Sequence, residues 1–222
     1  MKTRKIRTAL YNVLPGEKAH ALMAPRPKYI EGIEGVHPCP PVNSAILALI
    51  VPFENELALP LIKRVNRGKY HGGQIAFPGG KMEKEDADAL QTALRECHEE
   101  IGVPEEKVSI LGVLSDIYIP LSNFNITPIV GTTLQLPDFI LSQDEVEKVI
   151  LVKLRDLFDD RNKTTHSFVR HDHKIIAPGY KIGENFIWGA TAMIIAELEQ
   201  LMKTNTFNHL GKLLTSSMRH PN

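Results

Sequence analysis

The chain has 222 residues, of which 43% are apolar, and its 26 lysines and arginines balance 26 aspartates and glutamates. This composition is typical of a soluble globular protein and excludes a disordered, collagen-like or disulfide-rich chain. A net charge of zero removes the usual electrostatic basis for binding nucleic acid or an anionic membrane, so we expect neither partner. The balance remains compatible with a small phosphorylated ligand bound at a local basic patch.

The cysteine content and the apolar runs predict where the protein is found. The two cysteines, Cys39 and Cys97, are too few for a disulfide framework, which favours a reducing compartment. The longest apolar run, residues 45–53, is far shorter than the roughly 20 residues that cross a bilayer. The basic N-terminus lacks the apolar core of a secretion signal. We therefore predict a cytoplasmic protein.

The patterns divide the chain into one domain and two terminal segments. Residues 1–40 begin basic, contain a short predicted helix at 16–23 and end rich in proline, as expected of an extension packed on a domain. Residues 41–204 are predicted to form the domain. Residues 205–222 are predicted to form a C-terminal helix or tail.

The domain begins with two apolar runs, 44–51 and 57–62, and the polar turn between them predicts a β-hairpin. A loop rich in glycine and basic residues follows. After it we predict a short strand at 74–77, a turn at 78–80 and a strongly periodic helix at 86–101.

Strand patterns then alternate with turns as far as a second long helix, predicted at 189–202. The predicted strands cover residues 108–119, 126–136, 149–152, 167–170 and 174–176. Because strands and helices do not alternate regularly, we predict an α/β fold of the mixed α+β type, with helices packed on a mixed sheet.

The helix at 86–101 has an apolar arc, predicted to face the core, and an acidic arc beside it. The apolar residues are Leu90, Ala93, Leu94, Cys97 and Ile101. Glu96, Glu99 and Glu100 lie three and four positions apart, so their carboxylates cluster on the neighbouring arc, with Arg95 beside Glu99.

Such an acidic arc is compatible with a merely solvated surface, since like charges at this spacing cost only about 0.2 to 0.5 kcal/mol per pair. The preceding segment favours a more specific interpretation. The glycine-rich segment 77–81 can bring backbone carbonyls towards the helix, and the basic loop suits phosphate oxygens. Hard divalent cations take carboxylate and carbonyl oxygens and pair with phosphates, so we predict a metal site beside a phosphate site.

Residues 80–103 resemble the Nudix box, G-x5-E-x7-R-E-U-x-E-E-x-G-U, and residues 95–103 match its second half at every specified position. Gly80 lies one residue further from Arg95 than in the general pattern, and Asp86 stands where the pattern has glutamate. Both departures resemble the coenzyme A pyrophosphatase branch, which typically reads FPGGK-x-D, an aspartate and then TALRE; here the corresponding residues are 77–81, Glu83, Asp86 and 92–96.

That branch also has an upstream signature, approximately L-L-T-x-R-[SA]-x3-R-x3-G-x3-F-P-G-G. Leu61, Arg64, Gly73 and residues 77–80 match it in register. Among the residues that differ from it are Ile62, Val65 and Lys69. The combined motifs cover residues 61–103, and the segments 14–16 and 187–192 also resemble the branch.

The resemblance implies a Nudix-type α/β/α sandwich and a set of functional residues. Glu96, Glu99 and Glu100 would bind Mg²⁺ or Mn²⁺, and Arg95 would orient a glutamate. Gly80 or Lys81 would add a backbone carbonyl. The proton of the attacking water would pass to Glu100 or, as the second choice, to Glu145.

The basic loop provides the candidates for binding substrate. Arg64, Arg67 and Lys69 are placed to neutralise a ribose phosphate, and Tyr70 and His71 lie beside them in the sequence. Lys81, next to the proposed metal site, is a further candidate.

The predicted function is metal-dependent hydrolysis of the pyrophosphate in coenzyme A or its thioesters, giving 3',5'-ADP and a 4'-phosphopantetheine product. A Nudix pyrophosphatase for ADP-ribose or a nucleotide sugar is an alternative, and a catalytically silent nucleotide-binding domain is another. A homodimer is compatible with the sequence, which leaves the oligomeric state open.

Overall fold

The computed structural model describes residues 14–26, 39–66, 73–170 and 173–203. The helices are α1 (Glu17–Met23), α2 (Ala89–Ile101), α3 (Leu154–Leu157) and α4 (Ala190–Lys203). The strands are β1 (Val42–Phe53), β2 (Glu56–Arg64), β3 (Ile75–Ala76), β4 (Gly79–Lys81), β5 (Ser109–Val113), β6 (Ile117–Ile119), β7 (Phe124–Thr132), β8 (Val146–Lys153), β9 (Lys163–Arg170), β10 (His173–Ile182) and β11 (Asn185–Trp188).

The main sheet is mixed, as predicted. β1 and β2 form the predicted hairpin, in which Val51 pairs with Ala58 and Phe53 with Glu56. β1 pairs in parallel with β7, whereas the other pairings in this sheet are antiparallel. The main path runs β3-β2-β1-β7-β5, and β4, β8 and β6 pair with β1, β2 and β7 respectively.

Both faces of β1 are buried, which explains why its sequence is almost continuously apolar. Leu47, Leu49 and Val51 belong to a core cluster that includes the apolar arc of α2. Ala48 and Ile50, on the opposite face, belong to a second cluster that includes α4. Helices therefore cover both faces of one sheet, and the predicted α/β/α sandwich is confirmed.

A smaller antiparallel sheet, in the order β11-β10-β9, leads into α4. The ring of Phe168 on β9 contacts Trp188 on β11 edge to face, with 4.9 Å between the ring centroids. The sequence pattern does not predict β11, because this short strand directly precedes the helix. Among the described residues, no helix combines the length and apolar character that a membrane crossing requires.

The N-terminal helix α1 is held against α4 by the buried carboxylate of Glu197. Glu197 accepts hydrogen bonds from the Gly16 amide at 3.1 Å and from Ser115 Oγ at 2.7 Å. It also contacts His20 Nε2 at 2.8 Å. The helix predicted at 16–23 is confirmed over residues 17–23. The predicted domain boundaries near residues 40 and 204 remain predictions, and the predicted C-terminal helix lies outside the described residues.

The helix predicted from residue 86 begins instead at Ala89. Asp88 caps it, because its side chain accepts a hydrogen bond from the Gln91 amide at 2.9 Å. The turn predicted at 78–80 is wrong for Gly79 and Gly80, since these residues belong to β4 and pair with β1.

The single strand predicted at 108–119 is also wrong, because it is divided into β5 and β6. Ser115 lies in the gap between these strands, and its amide donates to Glu197 at 3.2 Å rather than to a neighbouring strand. In the same gap, Asp116 accepts a hydrogen bond from Thr127 Oγ1 at 2.7 Å.

Candidate active site

The glycines of β4 allow the backbone to approach both β1 and α2 closely. A methyl group on Gly79, whose φ is +155°, would overlap the Ala45 carbonyl and lie 2.6 Å from Ile46 Cα. A methyl group on Gly80 would overlap the Glu96 carboxylate. The backbone therefore leaves no room for a side chain at Gly79, whereas a side chain at Gly80 would displace the Glu96 carboxylate, and β4 lies directly against the acidic side of α2.

Arg95 organises this acidic side. Its Nη1 atom donates to Glu96 Oε1 and to Glu99 Oε2, each at 3.0 Å. The Nη2 atom donates to the Lys81 carbonyl at 3.1 Å, so the guanidinium also links α2 to β4. Arg95 thus hydrogen-bonds two glutamates of α2 and the backbone of β4.

Asp86 holds Arg95 from the other side, a contact to which the sequence analysis assigned no role. Asp86 Oδ1 accepts from Arg95 Nε at 3.0 Å and Oδ2 from Nη2 at 2.9 Å. The Glu83 amide and Thr92 Oγ1 also donate to Oδ2, each at 2.9 Å. The hydrogen bonds from Arg95 hold the pKa of Asp86 well below its usual range although burial opposes them, so this anchor stays charged. In the sequence, the signal for this anchor is that Asp86 occupies the position where the Nudix box specifies an acidic residue.

Glu100 is buried, unlike its neighbour Glu99 on the acidic arc. β4 covers it, and only 1% of the residue is exposed. Its Oε2 accepts a hydrogen bond from the Gly79 amide at 2.8 Å. Its Oε1 lies 3.3 Å from Arg64 Nη2 and has no hydrogen-bond partner. Burial raises the pKa of Glu100 to about 7, although the Arg64 charge and the Gly79 amide oppose the shift. By contrast, the side chain of Glu99 is 56% exposed.

Glu145 is brought to the same region by backbone hydrogen bonds. The Ser142 amide donates to the Glu100 carbonyl at 3.0 Å, and the Val65 amide donates to the Glu145 carbonyl at 2.9 Å. The exposed Glu145 carboxylate adds to the effects that raise the pKa of Glu96, of which burial is the largest. It contributes in the same direction to the pKa of Glu100. The second candidate base therefore acts electrostatically on two of the predicted ligands.

The available donor atoms are of the chemical type that a hard divalent cation prefers. Carboxylates and the Gly80 carbonyl offer only oxygen atoms, and Glu100 Oε1 is a buried acceptor that lacks a hydrogen bond. Within the described ranges, no three His, Cys, Asp or Glu side chains are grouped so that they could hold a metal ion. Arg95 instead pairs with Glu96 and Glu99, and Arg64 pairs with Glu100.

The predicted substrate-binding residues are only partly described. Arg64 Nη2 points at Glu100 and donates to the Gly79 carbonyl at 2.8 Å. Lys81 is exposed and lines an open groove of about 300 Å³ with Asn43 and residues 82–84. The remaining candidates, Arg67, Lys69, Tyr70 and His71, lie outside the described residues.

The family model of the NUDIX domain matches residues 43–171, more than half of the chain, and this range includes β1, β4 and all of α2. The chain belongs to the Nudix family. This Nudix hydrolase is 34% identical over 161 residues to the uncharacterized Nudix hydrolase NudL of Enterobacter sp. (strain 638), covering 71% of this chain and 82% of the relative. A second NudL, from Pectobacterium atrosepticum, is 35% identical over 158 residues, covering 70% and 80% of the two chains.

The solved structures support the same fold. The MutT protein of Methanosarcina mazei Go1 superposes on this Nudix hydrolase with a TM-score of 0.50 at 16% sequence identity. The superposition covers 76% of this chain and 99% of that protein. At this identity the likeness establishes a shared fold.

Proposed function

We propose that this Nudix hydrolase cleaves the pyrophosphate of coenzyme A or its thioesters, using Mg²⁺ or Mn²⁺. The observation that carries the hydrolytic part is the arrangement around β4, where Arg95 holds Glu96 and Glu99 and the Gly79 amide holds Glu100. The choice of coenzyme A is supported by the resemblance of residues 61–103 to the coenzyme A pyrophosphatase branch.

The reaction consists of adding water to one phosphorus and breaking its bond to the bridging oxygen, while the water loses a proton. Glu96, Glu99, Glu100 and the Gly80 carbonyl would hold the cation, which when bound neutralises phosphate charge and lowers the pKa of coordinated water. Hydrolases of this family generally use divalent metal ions.

The side chains of this chain perform the remaining tasks. Arg95 and Asp86 hold the glutamates of α2 in place before substrate arrives, which removes part of the ordering cost from the reaction. Glu100 is our first choice for accepting the proton of the water, because it is buried beside β4 and its Oε1 accepts no hydrogen bond. Glu145 is the second choice.

Recognition of the substrate is assigned to the loop between β2 and β3. The Arg64 amide donates to the Gln74 carbonyl and the Gly73 amide donates to the Arg64 carbonyl, each at 3.0 Å, so both ends of this loop lie beside the site. We propose that its residues Arg67, Lys69, Tyr70 and His71, together with Lys81, contact the phosphorylated nucleotide. The 3'-phosphate of coenzyme A offers the charge that arginine and lysine recognise.

Parallel incubation with coenzyme A, ADP-ribose and a nucleotide sugar, with Mg²⁺ or Mn²⁺, tests the proposal. Of the three substrates, coenzyme A should be cleaved fastest, and mass spectrometry should identify its products as 3',5'-ADP and 4'-phosphopantetheine. Faster cleavage of ADP-ribose or the nucleotide sugar would overturn the assignment of coenzyme A as substrate but would support the proposed pyrophosphate hydrolysis. Binding of a nucleotide without any product would favour the catalytically silent domain.

A further inference from the structure

Arg64 makes a closed set of contacts with Gly79 and Glu100. Its Nη2 atom donates to the Gly79 carbonyl at 2.8 Å and lies 3.3 Å from Glu100 Oε1. The amide of Gly79 in turn donates to Glu100 Oε2 at 2.8 Å. One cation therefore joins the end of β2, the backbone of β4 and the buried carboxylate of α2.

The backbone around Arg64 is fixed as firmly as its side chain. Its amide and carbonyl bind Gln74 and Gly73, which close the base of the loop, and the next amide binds the Glu145 carbonyl. The side chain is 32% exposed, so one edge of it is accessible, but the nitrogen described above is directed at protein atoms. Moving it to a substrate phosphate would break its hydrogen bond to the Gly79 carbonyl, which ties the guanidinium to the β4 backbone.

We propose that Arg64 is a positioning residue: it fixes the Glu100 carboxylate and the Gly79–Gly80 backbone for hydrolysis, and it is not principally a ligand of the substrate phosphate. This inference rests on the proposed function, because it assigns Arg64 a role in that reaction. It separates Arg64 from Arg67 and Lys69, with which the sequence groups it.

Steady-state kinetics distinguish the two roles. A positioning residue acts on turnover, so Arg64→Ala should lower kcat about 10- to 100-fold and change KM by less than about 3-fold. Arg64→Lys keeps the charge and should recover a substantial part of kcat. Lys63→Ala is the matched control, because this neighbouring cation pairs with Glu147 at 2.7 Å on the surface and should leave both constants unchanged. An increase in KM with kcat retained would overturn the proposal.

Hydrogen exchange of the Gly79 amide provides a readout that does not depend on activity. Since this amide donates to Glu100, loosening the carboxylate in Arg64→Ala should speed its exchange by about tenfold or more, with Lys63→Ala unchanged. Unchanged exchange in Arg64→Ala would overturn the proposal. If Arg64→Ala does not fold, Arg64→Gln, which removes the charge and keeps most of the side-chain length, provides both comparisons. If the wild type cleaves no substrate, the proposed function fails, while the exchange measurement still decides whether Arg64 holds Glu100.

Discussion

Glu99 and Glu100 are adjacent in the chain but have opposite surroundings. The side chain of Glu99 is more than half exposed and pairs with Arg95, whereas Glu100 is buried under β4 beside Arg64. Their contacts also differ, since Glu99 shares its arginine with Glu96 and Glu100 binds a backbone amide. The same substitution at the two positions therefore removes different interactions from one site.

We predict that Glu99→Gln and Glu100→Gln each lower turnover at least about 100-fold with the fold retained, because each removes an anionic oxygen that a metal or a proton requires. Turnover at saturating metal, with circular dichroism to check folding, measures this effect. Glu106→Gln, on an exposed turn after α2, is the control that should retain full activity. Wild-type rates for both site variants would contradict the metal-site assignment.

At the scale of elements, β4 connects the main sheet to the candidate active site on α2. Its three residues pair with Ser44, Ala45 and Ile46 on β1, and its backbone also donates a hydrogen bond to Glu100 of α2. Because the strand is so short, its position depends on glycines that allow close approach on two sides. Its two glycines consequently serve different purposes, one for packing and one for the site.

We predict that Gly79→Ala lowers the free energy of unfolding by about 2 kcal/mol or more, because it combines a clash with the β1 backbone and a strained φ. Urea denaturation measures this loss. Gly183→Ala has a positive φ of +57° but open space around it, so it reports the effect of strain alone. Equal losses for the two variants would show that the contact with β1 has little effect.

Gly80→Ala is expected to act on activity instead. Its methyl group would displace the Glu96 carboxylate, so turnover should fall at least about tenfold while stability falls less than in Gly79→Ala. Kinetics at saturating metal, with urea denaturation of the same sample, separate the two effects. Unchanged turnover would show that the position of Glu96 is not critical.

We predict that the loop between β2 and β3 binds the 3'-phosphate of coenzyme A and so distinguishes coenzyme A from its dephospho form. Arg67→Ala or Lys69→Ala should lower the preference for coenzyme A over dephospho-coenzyme A by roughly five- to a hundred-fold, as expected for the loss of a charged hydrogen bond. The ratio of the two kcat/KM values is the measurement. Arg64→Ala should lower both values and leave their ratio unchanged. If the ratio changes in neither Arg67→Ala nor Lys69→Ala, the loop does not recognise that phosphate.

At the scale of the whole molecule, two cores lie on opposite faces of one sheet. One includes the apolar arc of α2, and the other is covered by α4 together with α1. Burial raises the pKa of Glu197, but the hydrogen bonds from His20, Ser115 and Gly16 outweigh it, so the net pKa lies below the ordinary value. A lowered pKa in the folded state means that the charged form stabilises the fold.

The stabilisation by Glu197 should therefore be complete above the ordinary glutamate pKa of about 4.3 and should disappear as the pH falls through the lower folded value. We predict that Glu197→Gln is less stable than the wild type at pH 7 and that this difference shrinks between about pH 5 and pH 3. Urea denaturation at several pH values measures it. A difference that stays constant with pH would contradict the prediction.

Local patterns in the sequence were sufficient for much of the fold and for the choice of site residues. The continuous apolar run of β1 and the period of 3.6 in α2 are local patterns, so these two elements and the spacing of Glu96, Glu99 and Glu100 are evident without a structure. The motif match likewise indicated the Nudix family, and the family comparison confirmed it.

Features that depend on distant residues required the tertiary structure. The segment 78–80 has the composition of a turn, and only its pairing with β1 makes it a strand that buries Glu100. The division of the strand predicted at 108–119 depends on Glu197, far along the chain, which binds the Ser115 amide. Burial and charge pairing depend on which groups meet in space, so the contacts of Arg64 with Glu100 and of Asp86 with Arg95 were decided by the fold rather than by local propensity.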